Sequence, residues 1–270
     1  MARTQRDARP ATEREQKFVV GERGVAELLR AIAGRARPVL WDLDRPIAWA
    51  RTTYLDTEDL RLFRSRADRV ARRLRVREYA SARSIGDPPV LTGACALELK
   101  ESIGDLRAKV RFFGGPERIW RLARLGVCDG MDGDDPELRA IARHLGDADL
   151  APRVTTLYRR VSFTAEDGCV RITIDHDLGY YRPPQGGAAG DPAEPPEPVG
   201  SCAAKILEVK TSTELPAWLR DALRGLKEAE GFSKFELATL ASTLTTAAAV
   251  VPIRAAGRHA LQSVADGRSR

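Results

Sequence analysis

The chain has 270 residues, 43% of them hydrophobic and 30% charged, a composition typical of globular domains that excludes an intrinsically disordered chain. The net charge of +6 favours an anionic partner, such as nucleic acid, an acidic membrane or a phosphate compound, without choosing among them. No run reaches the about 18–20 consecutive apolar residues of a membrane span, and no apolar segment follows the basic N-terminus, so we expect a cytoplasmic protein. The cysteines and histidines are scattered, which argues against a zinc site.

One domain is predicted over residues 13–252, between a disordered segment at 1–12 and a basic tail at 253–270. Apolar runs predict strands at 17–20, 52–55, 74–79, 94–101, 154–163, 169–177 and 205–211. Helical spacing predicts helices at 25–33, 117–125, 136–145, 216–230 and 235–248. The segment 183–200 is rich in proline and glycine, which predicts a flexible surface loop. Since strands and helices do not alternate regularly, we expect an α+β fold with an antiparallel sheet.

Four strand segments alternate aliphatic with charged residues. They are 74–77 (LRVR), 97–100 (LELK), 170–175 (VRITID) and 207–210 (LEVK). Because side chains alternate between the two faces of a strand, each segment has one aliphatic and one charged face. An ordinary antiparallel sheet with one face in water also gives this pattern. The helices, however, need the aliphatic faces to pack against, which turns the charged faces inward and favours a closed barrel.

An inward face of this kind predicts a particular ligand. Clustered Arg and Lys side chains repel each other and need anions, and the Arg fork binds phosphate oxygens in pairs. Isolated Glu residues do not bind phosphate directly, but they suit Mg²⁺ or Mn²⁺, which bridge to phosphate oxygens. The sequence therefore predicts a tunnel that binds triphosphate or polyphosphate with a divalent metal.

Several motifs along the chain resemble one superfamily. Glu13-Arg14-Glu15-Gln16-Lys17 is similar to the E-x-E-x-K opening strand of the triphosphate tunnel metalloenzymes. Six later segments resemble the polyphosphate polymerase (vacuolar transporter chaperone, VTC) branch of that superfamily. They are 53–57 (TYLDT), 75–79 (RVREY), 97–100 (LELK), 158–163 (YRRVSF), 207–210 (LEVK) and 232–235 (FSKF). Each motif is weak alone, but their common order from about residue 13 to 240 is specific.

The resemblance implies a fold and an activity. The fold is α+β, with an antiparallel closed β-barrel tunnel of about eight strands and with helices packed outside and at the C-terminus. The activity is transfer of the terminal phosphate of ATP to a polyphosphate chain, with Mn²⁺ or Mg²⁺ as the metal. We therefore expect ATP and polyphosphate or triphosphate as partners; whether a membrane protein accompanies the chain is left open.

The resemblance also implies the site residues. The phosphate-binding residues are Lys17, Arg75, Arg77, Lys100, Arg160, Arg171 and Lys234. Of these, Arg75, Arg77, Lys100, Arg160 and Lys234 are the catalytic set. Glu208 is the metal ligand, and Glu15 and Glu98 are further metal ligands or acids that orient lysines. Lys234 also has an independent argument, since it opens a predicted helix, where backbone N–H groups favour anions.

Other readings stay open at this point. A triphosphatase, a CYTH-type adenylate cyclase or a thiamine triphosphatase would use the same lining, and a non-catalytic polyphosphate-binding module would need only its positive charge. Nucleic acid is not expected, because aromatic residues make up only 6% of the chain. The four tryptophans are interpreted as packing residues or loop anchors, and not as a platform for a nucleobase. Lys109 and Arg111 line a tunnel mouth or an exposed edge strand.

Overall fold

The computed structural model describes residues 14–104, 106–125, 135–145, 149–183, 197–229, 231–245 and 251–252. The strands are β1 Arg14–Val20, β2 Ala36–Pro38, β3 Ile47–Asp56, β4 Val70–Ala82, β5 Val90–Ile103, β6 Leu106–Gly114, β7 Ala151–Ala165, β8 Val170–Tyr181, β9 Pro198–Cys202, β10 Lys205–Thr211, β11 Lys227–Glu228 and β12 Val251–Pro252. The helices are α1 Glu22–Ile32, α2 Arg61–Arg64, α3 Pro116–Leu125, α4 Pro136–Leu145, α5 Ala217–Leu223 and α6 Lys234–Leu244, with a 3-10 turn at Ser65–Ala67.

The strands form one sheet of 12 strands, antiparallel except where β9 pairs with β12. The main path runs β11-β1-β10-β8-β7-β3-β4-β5-β6, while β2 pairs with β7, and β9 with β8. The α+β class with an antiparallel sheet is therefore confirmed. The expected closure into a barrel of about eight strands is not observed, because no pairing among the described residues joins the edge strands β6 and β11.

The aliphatic side chains of the alternating strands form the core, as predicted. Ile119 and Trp120 of α3 and Leu138 of α4 pack with the aliphatic residues of β4 and β5. Leu28 of α1 and Leu219 of α5 pack in the same way against β1, β8 and β10. Each such fully buried side chain stabilises the fold by about 1.5–3 kcal/mol. These four helices thus cover one face of the sheet.

Helix α6 lies on the other face. Its Phe235, Leu237 and Ala238 pack against Tyr54 of β3 and Tyr158 of β7. The Tyr54 and Phe235 ring centroids are 5.0 Å apart. The prediction that helices lie outside the sheet therefore holds for α1, α3, α4 and α5, whereas α6 covers part of the face that carries the charges.

Local conformation explains where the sequence prediction succeeded and failed. The β7–β8 hairpin turns at Gly168, whose φ of 71° is easily adopted only by glycine. The helix predicted at 216–230 ends at Leu223 instead. Gly225 has a φ of 82°, and the chain then returns as β11 to pair with β1. The predicted loop 183–200 likewise ends early, because β9 starts at Pro198.

Some expectations fall outside the described residues. These are the disordered segment 1–12, the basic tail 253–270, most of the loop at 184–196 and the end of the last helix at 246–248. In the ranges that the structure does describe, no helix is both long and apolar enough to cross a membrane.

Candidate functional site

The predicted site residues on the strands share one face of the sheet. Directly paired residues on neighbouring strands project to the same side. The register pairs Arg75 with Glu98, Arg160 with Asp175, and Lys17 with Glu208. We call this surface the basic face and define it by Glu15, Lys17, Arg73, Arg75, Arg77, Glu98, Lys100, Lys109, Arg111, Arg160, Arg171, Asp175, Glu208 and Lys210. Its bases outnumber its acids.

Electrostatic interactions connect distant parts of the basic face. Glu208 on β10 and Lys100 on β5 are five places apart in the strand order. Arg75, burial and Lys109 lower the pKa of Lys100 well below its usual range, while the carboxylates of Glu98 and Glu208 oppose that shift. Glu208 is therefore near enough to interact electrostatically with Lys100.

Glu98 is the hub of one cluster on the basic face. Its side chain is fully buried, and its Oε2 accepts a hydrogen bond of 2.7 Å from Arg75 Nε. Its Oε1 lies 2.5 Å from Arg111 Nε and 3.2 Å from Lys109 Nζ. Burial alone would raise the pKa of Glu98, but these cations and Arg77 hold it well below its usual range. Glu98 is thus an ionised anchor for three basic side chains.

Lys109 gives a prediction about pH. Burial lowers its pKa to about 7, with help from Arg75 and Arg111 and against the attraction of Glu98. A bound anion favours the protonated form, so we expect affinity for inorganic triphosphate to fall about three- to tenfold between about pH 6 and pH 8. Calorimetry on Lys109→Arg in the same buffers is the control, because arginine stays charged. If the affinity of the wild type falls with pH no more steeply than that of Lys109→Arg, protonated Lys109 does not contribute to anion binding.

Asp175 is the hub of a second cluster. Its Oδ1 and Oδ2 accept hydrogen bonds of 2.6 and 2.7 Å from the Arg160 guanidinium group. Lys234 Nζ, at the first position of α6, lies 2.7 Å from Oδ2. Tyr158 packs beside them, with its ring centroid 4.8 Å from Lys234 Nζ and 5.4 Å from the Arg160 guanidinium carbon. The helix end thus places Lys234 directly on the basic face.

A third cluster contains the two carboxylates that suit a metal. Lys210 Nζ is 2.6 Å from Glu15 Oε2 and 3.2 Å from Glu208 Oε1, and Lys17 Nζ is 2.9 Å from Glu15 Oε1. Burial raises the pKa of Glu208, but the opposite effect of Lys210, Arg160 and Lys17 is larger. The pKa of Glu208 is therefore lowered, and the carboxylate is ionised. Glu15 and Glu208 also repel each other, which a cation between them would relieve.

Glu15 and Glu208 fit a divalent metal that needs few protein ligands. Mg²⁺ is usually bound through one or two carboxylates and substrate phosphates. The side chains of Glu15 and Glu208 are 36% and 15% exposed, whereas Glu98 is fully buried and bonded to cations through both oxygens. The described residues contain no group of three or more His, Cys, Asp or Glu side chains arranged for a metal. Glu15 and Glu208 therefore suit the metal, and Glu98 suits the alternative role of orienting bases.

Arg77 and Lys100 stand apart from the ion-pair clusters of the basic face. Arg77 is 7% exposed, its Nε is buried without a hydrogen-bond acceptor, and its guanidinium carbon lies 6.0 Å from the Tyr158 ring centroid. Neither Arg77 nor Lys100 forms an ion pair with any acidic residue in the part of the chain that the structure describes. A buried charge without a partner costs several kcal/mol. Arg77 and Lys100 are therefore the candidates on this face for binding an anion.

Comparison with known proteins decides the family. A model of the VTC domain matches residues 12–243. The chain belongs to the VTC-domain family. The resemblance inferred from the motifs is thereby confirmed. No curated protein matches the chain.

Solved structures give only distant similarities to this VTC domain. A protein from Pyrococcus horikoshii OT3 is 14% identical with a TM-score of 0.41, over 83% of this chain and 97% of that chain. A putative adenylate cyclase from Bacillus halodurans is 11% identical with a TM-score of 0.44, over 89% and 96%. A putative adenylate cyclase from Vibrio parahaemolyticus is 13% identical with a TM-score of 0.37, over 79% and 83%. Values this low carry no argument about activity.

The structure brings the predicted residues of the VTC domain onto one surface. All ten predicted residues lie on or against the basic face: Glu15, Lys17, Arg75, Arg77, Glu98, Lys100, Arg160, Arg171, Glu208 and Lys234. Glu13 of the first motif is outside the described residues. Strand alternation separates His176 from Asp175, and the register agrees, because His176 pairs with Arg159 on the opposite side of the sheet.

Sequence reasoning misses several members of the basic face. Alternation turns Asp175 inward but gives it no role, and Tyr158 and Lys210 appear only inside motifs. Lys109 and Arg111 fit a tunnel mouth and an exposed edge equally well. They lie on the edge strand β6 and still contact Glu98. The alternation of Lys109 and Arg111 is the available signal, but an exposed edge strand gives the same pattern.

Proposed function

We propose that this VTC domain is a polyphosphate polymerase that transfers the terminal phosphoryl group of ATP to a polyphosphate chain on the basic face. The observation that carries the proposal is that Arg77 and Lys100 form no ion pair with an acidic residue in the described part of the chain, whereas the neighbouring carboxylates of Glu98 and Asp175 are already bonded to bases. An extended polyanion is the ligand that neutralises such a surface along its length. The sheet then lines one side of the phosphate chain, and α6 lies over part of the same face.

The residues have different roles in phosphoryl transfer, a reaction that depends mainly on positioning and charge stabilisation. Arg77 and Lys100 bind the phosphate oxygens directly, and Arg75, Arg160 and Lys234 surround them. Glu98 and Asp175 keep the surrounding bases in place through the contacts of 2.5–3.2 Å described above. Lys17, Arg171 and Lys210 extend the positive surface for the rest of the phosphate chain.

Glu15 and Glu208 would hold the divalent metal in this proposal. A bound Mg²⁺ or Mn²⁺ supplies neutralisation of the phosphate oxygens. Lys17 and Lys210 contact the same two carboxylates. These lysines therefore keep Glu15 and Glu208 ionised and preoriented.

The experiment that tests the proposal is a product analysis. Purified protein is incubated with ATP and Mn²⁺, and the products are separated on a polyacrylamide gel. The proposal predicts a ladder of long polyphosphate. Free phosphate alone would identify a triphosphate hydrolase, and a cyclic nucleotide with pyrophosphate would identify a cyclase. Unchanged ATP with retained polyphosphate binding would identify a binding module. Any of these three results would overturn the proposal.

Glu208→Gln separates binding from turnover. Loss of this carboxylate should lower the rate of polyphosphate synthesis at least about a hundredfold. It should leave metal-free binding of inorganic triphosphate intact or tighter, because it removes a negative charge from the basic face. Glu27→Gln on α1, an exposed carboxylate paired with Arg23, is the control and should change neither quantity. Synthesis at the wild-type rate in Glu208→Gln would contradict its role.

A further inference from the structure

Trp41 differs in its exposure from two of the other tryptophans. Trp120 is fully buried, and Trp218 packs against the core of α1 and α5. Trp41 lies instead in the loop between β2 and β3, and 74% of it is exposed. An indole group with this exposed fraction contributes little to the packing of the fold and is accessible to a ligand.

The Trp41 loop is held in place at the rim of the basic face. The backbone N–H of Val39 donates a 2.8 Å hydrogen bond to the carbonyl of Ser162 on β7. Asp42 Oδ1 accepts hydrogen bonds of 3.0 and 3.2 Å from the backbone N–H groups of Asp44 and Arg45. Asp42 Oδ2 also accepts a 3.4 Å hydrogen bond from Ser81 Oγ on β4. The loop therefore bridges β7 and β4 and presents Trp41 from a defined position.

An aromatic row leads from Trp41 to Arg77. The Trp41 and Tyr79 ring centroids are 6.3 Å apart, with 30° between the ring planes. The Tyr79 centroid lies 5.3 Å from the guanidinium carbon of Arg77. An exposed indole, a half-buried phenol ring and a buried cation thus follow each other from the rim of the basic face inward.

We propose that Trp41 and Tyr79 form the binding site for the nucleobase of the nucleoside triphosphate donor. A base that stacks on the Trp41 indole places its phosphates on the side of Arg77. Aromatic rings bind any base through its π-face, so this site selects a nucleotide over a bare phosphate chain without reading the base strictly. The inference rests on the proposed function, since it needs a nucleotide as the phosphoryl donor.

The site also accounts for a need of the proposed reaction. Donor and acceptor are both phosphate chains, and the cations of the basic face cannot distinguish one from the other. A stacking site at one end of the face binds only the ligand that carries a base. The donor is thereby oriented with its terminal phosphate on the basic face, away from Trp41.

The test compares two ligands by isothermal titration calorimetry. The probes are the β,γ-imido analogue of ATP and inorganic triphosphate, each titrated with Mg²⁺ present. Trp41→Ala should weaken binding of the imido analogue about tenfold and leave binding of inorganic triphosphate unchanged. Trp41→Phe should retain most of the affinity. Leu43→Ala is the matched control, because this residue is in the same loop and is 83% exposed.

The outcomes distinguish the inference from the proposed function. Equal affinity of Trp41→Ala and wild type for the imido analogue would overturn the nucleobase site, as would equal losses for both ligands. A similar loss in Leu43→Ala would also overturn it, because it would point to loop structure rather than stacking. If wild type binds inorganic triphosphate but not the imido analogue, ATP is not the donor and the proposed function itself fails.

Discussion

Arg77→Met is expected to abolish binding of inorganic triphosphate while leaving the ligand-free protein at least as stable as wild type. Arg77 is 7% exposed, and its Nε is buried without an acceptor. Methionine removes the cost of burying this charge and its repulsion from Arg75 and Arg160, but also its attraction to Glu98, so we expect the free energy of unfolding to stay unchanged or to rise by up to about 1 kcal/mol. Binding should weaken at least a hundredfold, to be measured by calorimetry, with stability measured by urea denaturation.

The matched control for Arg77→Met is Arg51→Met on the neighbouring strand β3. Arg51 projects to the opposite face and donates hydrogen bonds of 2.7 and 2.8 Å to Glu78, which is 2% exposed. Its removal leaves a buried carboxylate unpaired, which should cost about 3–5 kcal/mol of stability and leave triphosphate affinity unchanged. Arg77→Met should therefore lose triphosphate affinity but not stability, whereas Arg51→Met should lose stability but not triphosphate affinity. A stability loss in Arg77→Met as large as that in Arg51→Met would show that Arg77 supports the fold rather than the ligand.

Glu98→Gln should have the largest destabilising effect of any single substitution on the basic face. Glu98 holds Arg75, Lys109 and Arg111, and glutamine would leave these cations mutually repelling and partly buried. We expect a loss of about 3–5 kcal/mol in the free energy of unfolding. Saturating inorganic triphosphate should restore part of that loss, so the ligand-induced rise in melting temperature should exceed that of wild type.

The effect of Glu98 should also depend on pH. The folded protein holds the pKa of Glu98 well below its value in the unfolded chain, so its contribution is complete above about pH 5 and is lost as pH falls through the folded-state pKa. The difference in stability between wild type and Glu98→Gln should therefore shrink in acid. Glu166→Gln is the control, because Glu166 and Arg37 form an exposed pair worth less than about 1 kcal/mol. A difference that stays constant down to about pH 2 would contradict the assigned ionised state.

The alternating strands make the basic face predictable from sequence. In the segments at 74–77 and 97–100, period two determines which side chains share a face, whatever strand lies beside them. The pattern alone therefore assigns Glu98 and Arg75 to the charged face. It does not predict their ion pair, because that pair depends on side-chain conformations and on the register between β4 and β5. The further partners of Glu98, which are Lys109 and Arg111, depend on the register between β5 and β6.

Other features depend on contacts that local pattern does not encode. Closure of the sheet requires its first and last strands to meet, and alternation within one strand does not determine that. The end of α5 depends on the left-handed conformation at Gly225, which competes with an otherwise helical apolar pattern. Sequence reasoning treats Trp41 as a packing residue or loop anchor and not as a nucleobase platform, because tryptophan is usually buried. Only the position of its loop at the rim reveals its exposure.

The central claim is that the basic face carries polyphosphate synthesis, and transfer of label from [γ-³²P]ATP tests it most directly. Wild type and Arg77→Met are incubated with the labelled nucleotide, Mn²⁺ and a short polyphosphate primer, and the products are separated on a gel. We expect label in lengthened polyphosphate with wild type and none with Arg77→Met, whose fold is checked by its melting temperature. Label found only as free phosphate, or lengthened polyphosphate at the wild-type rate in Arg77→Met, would contradict the claim.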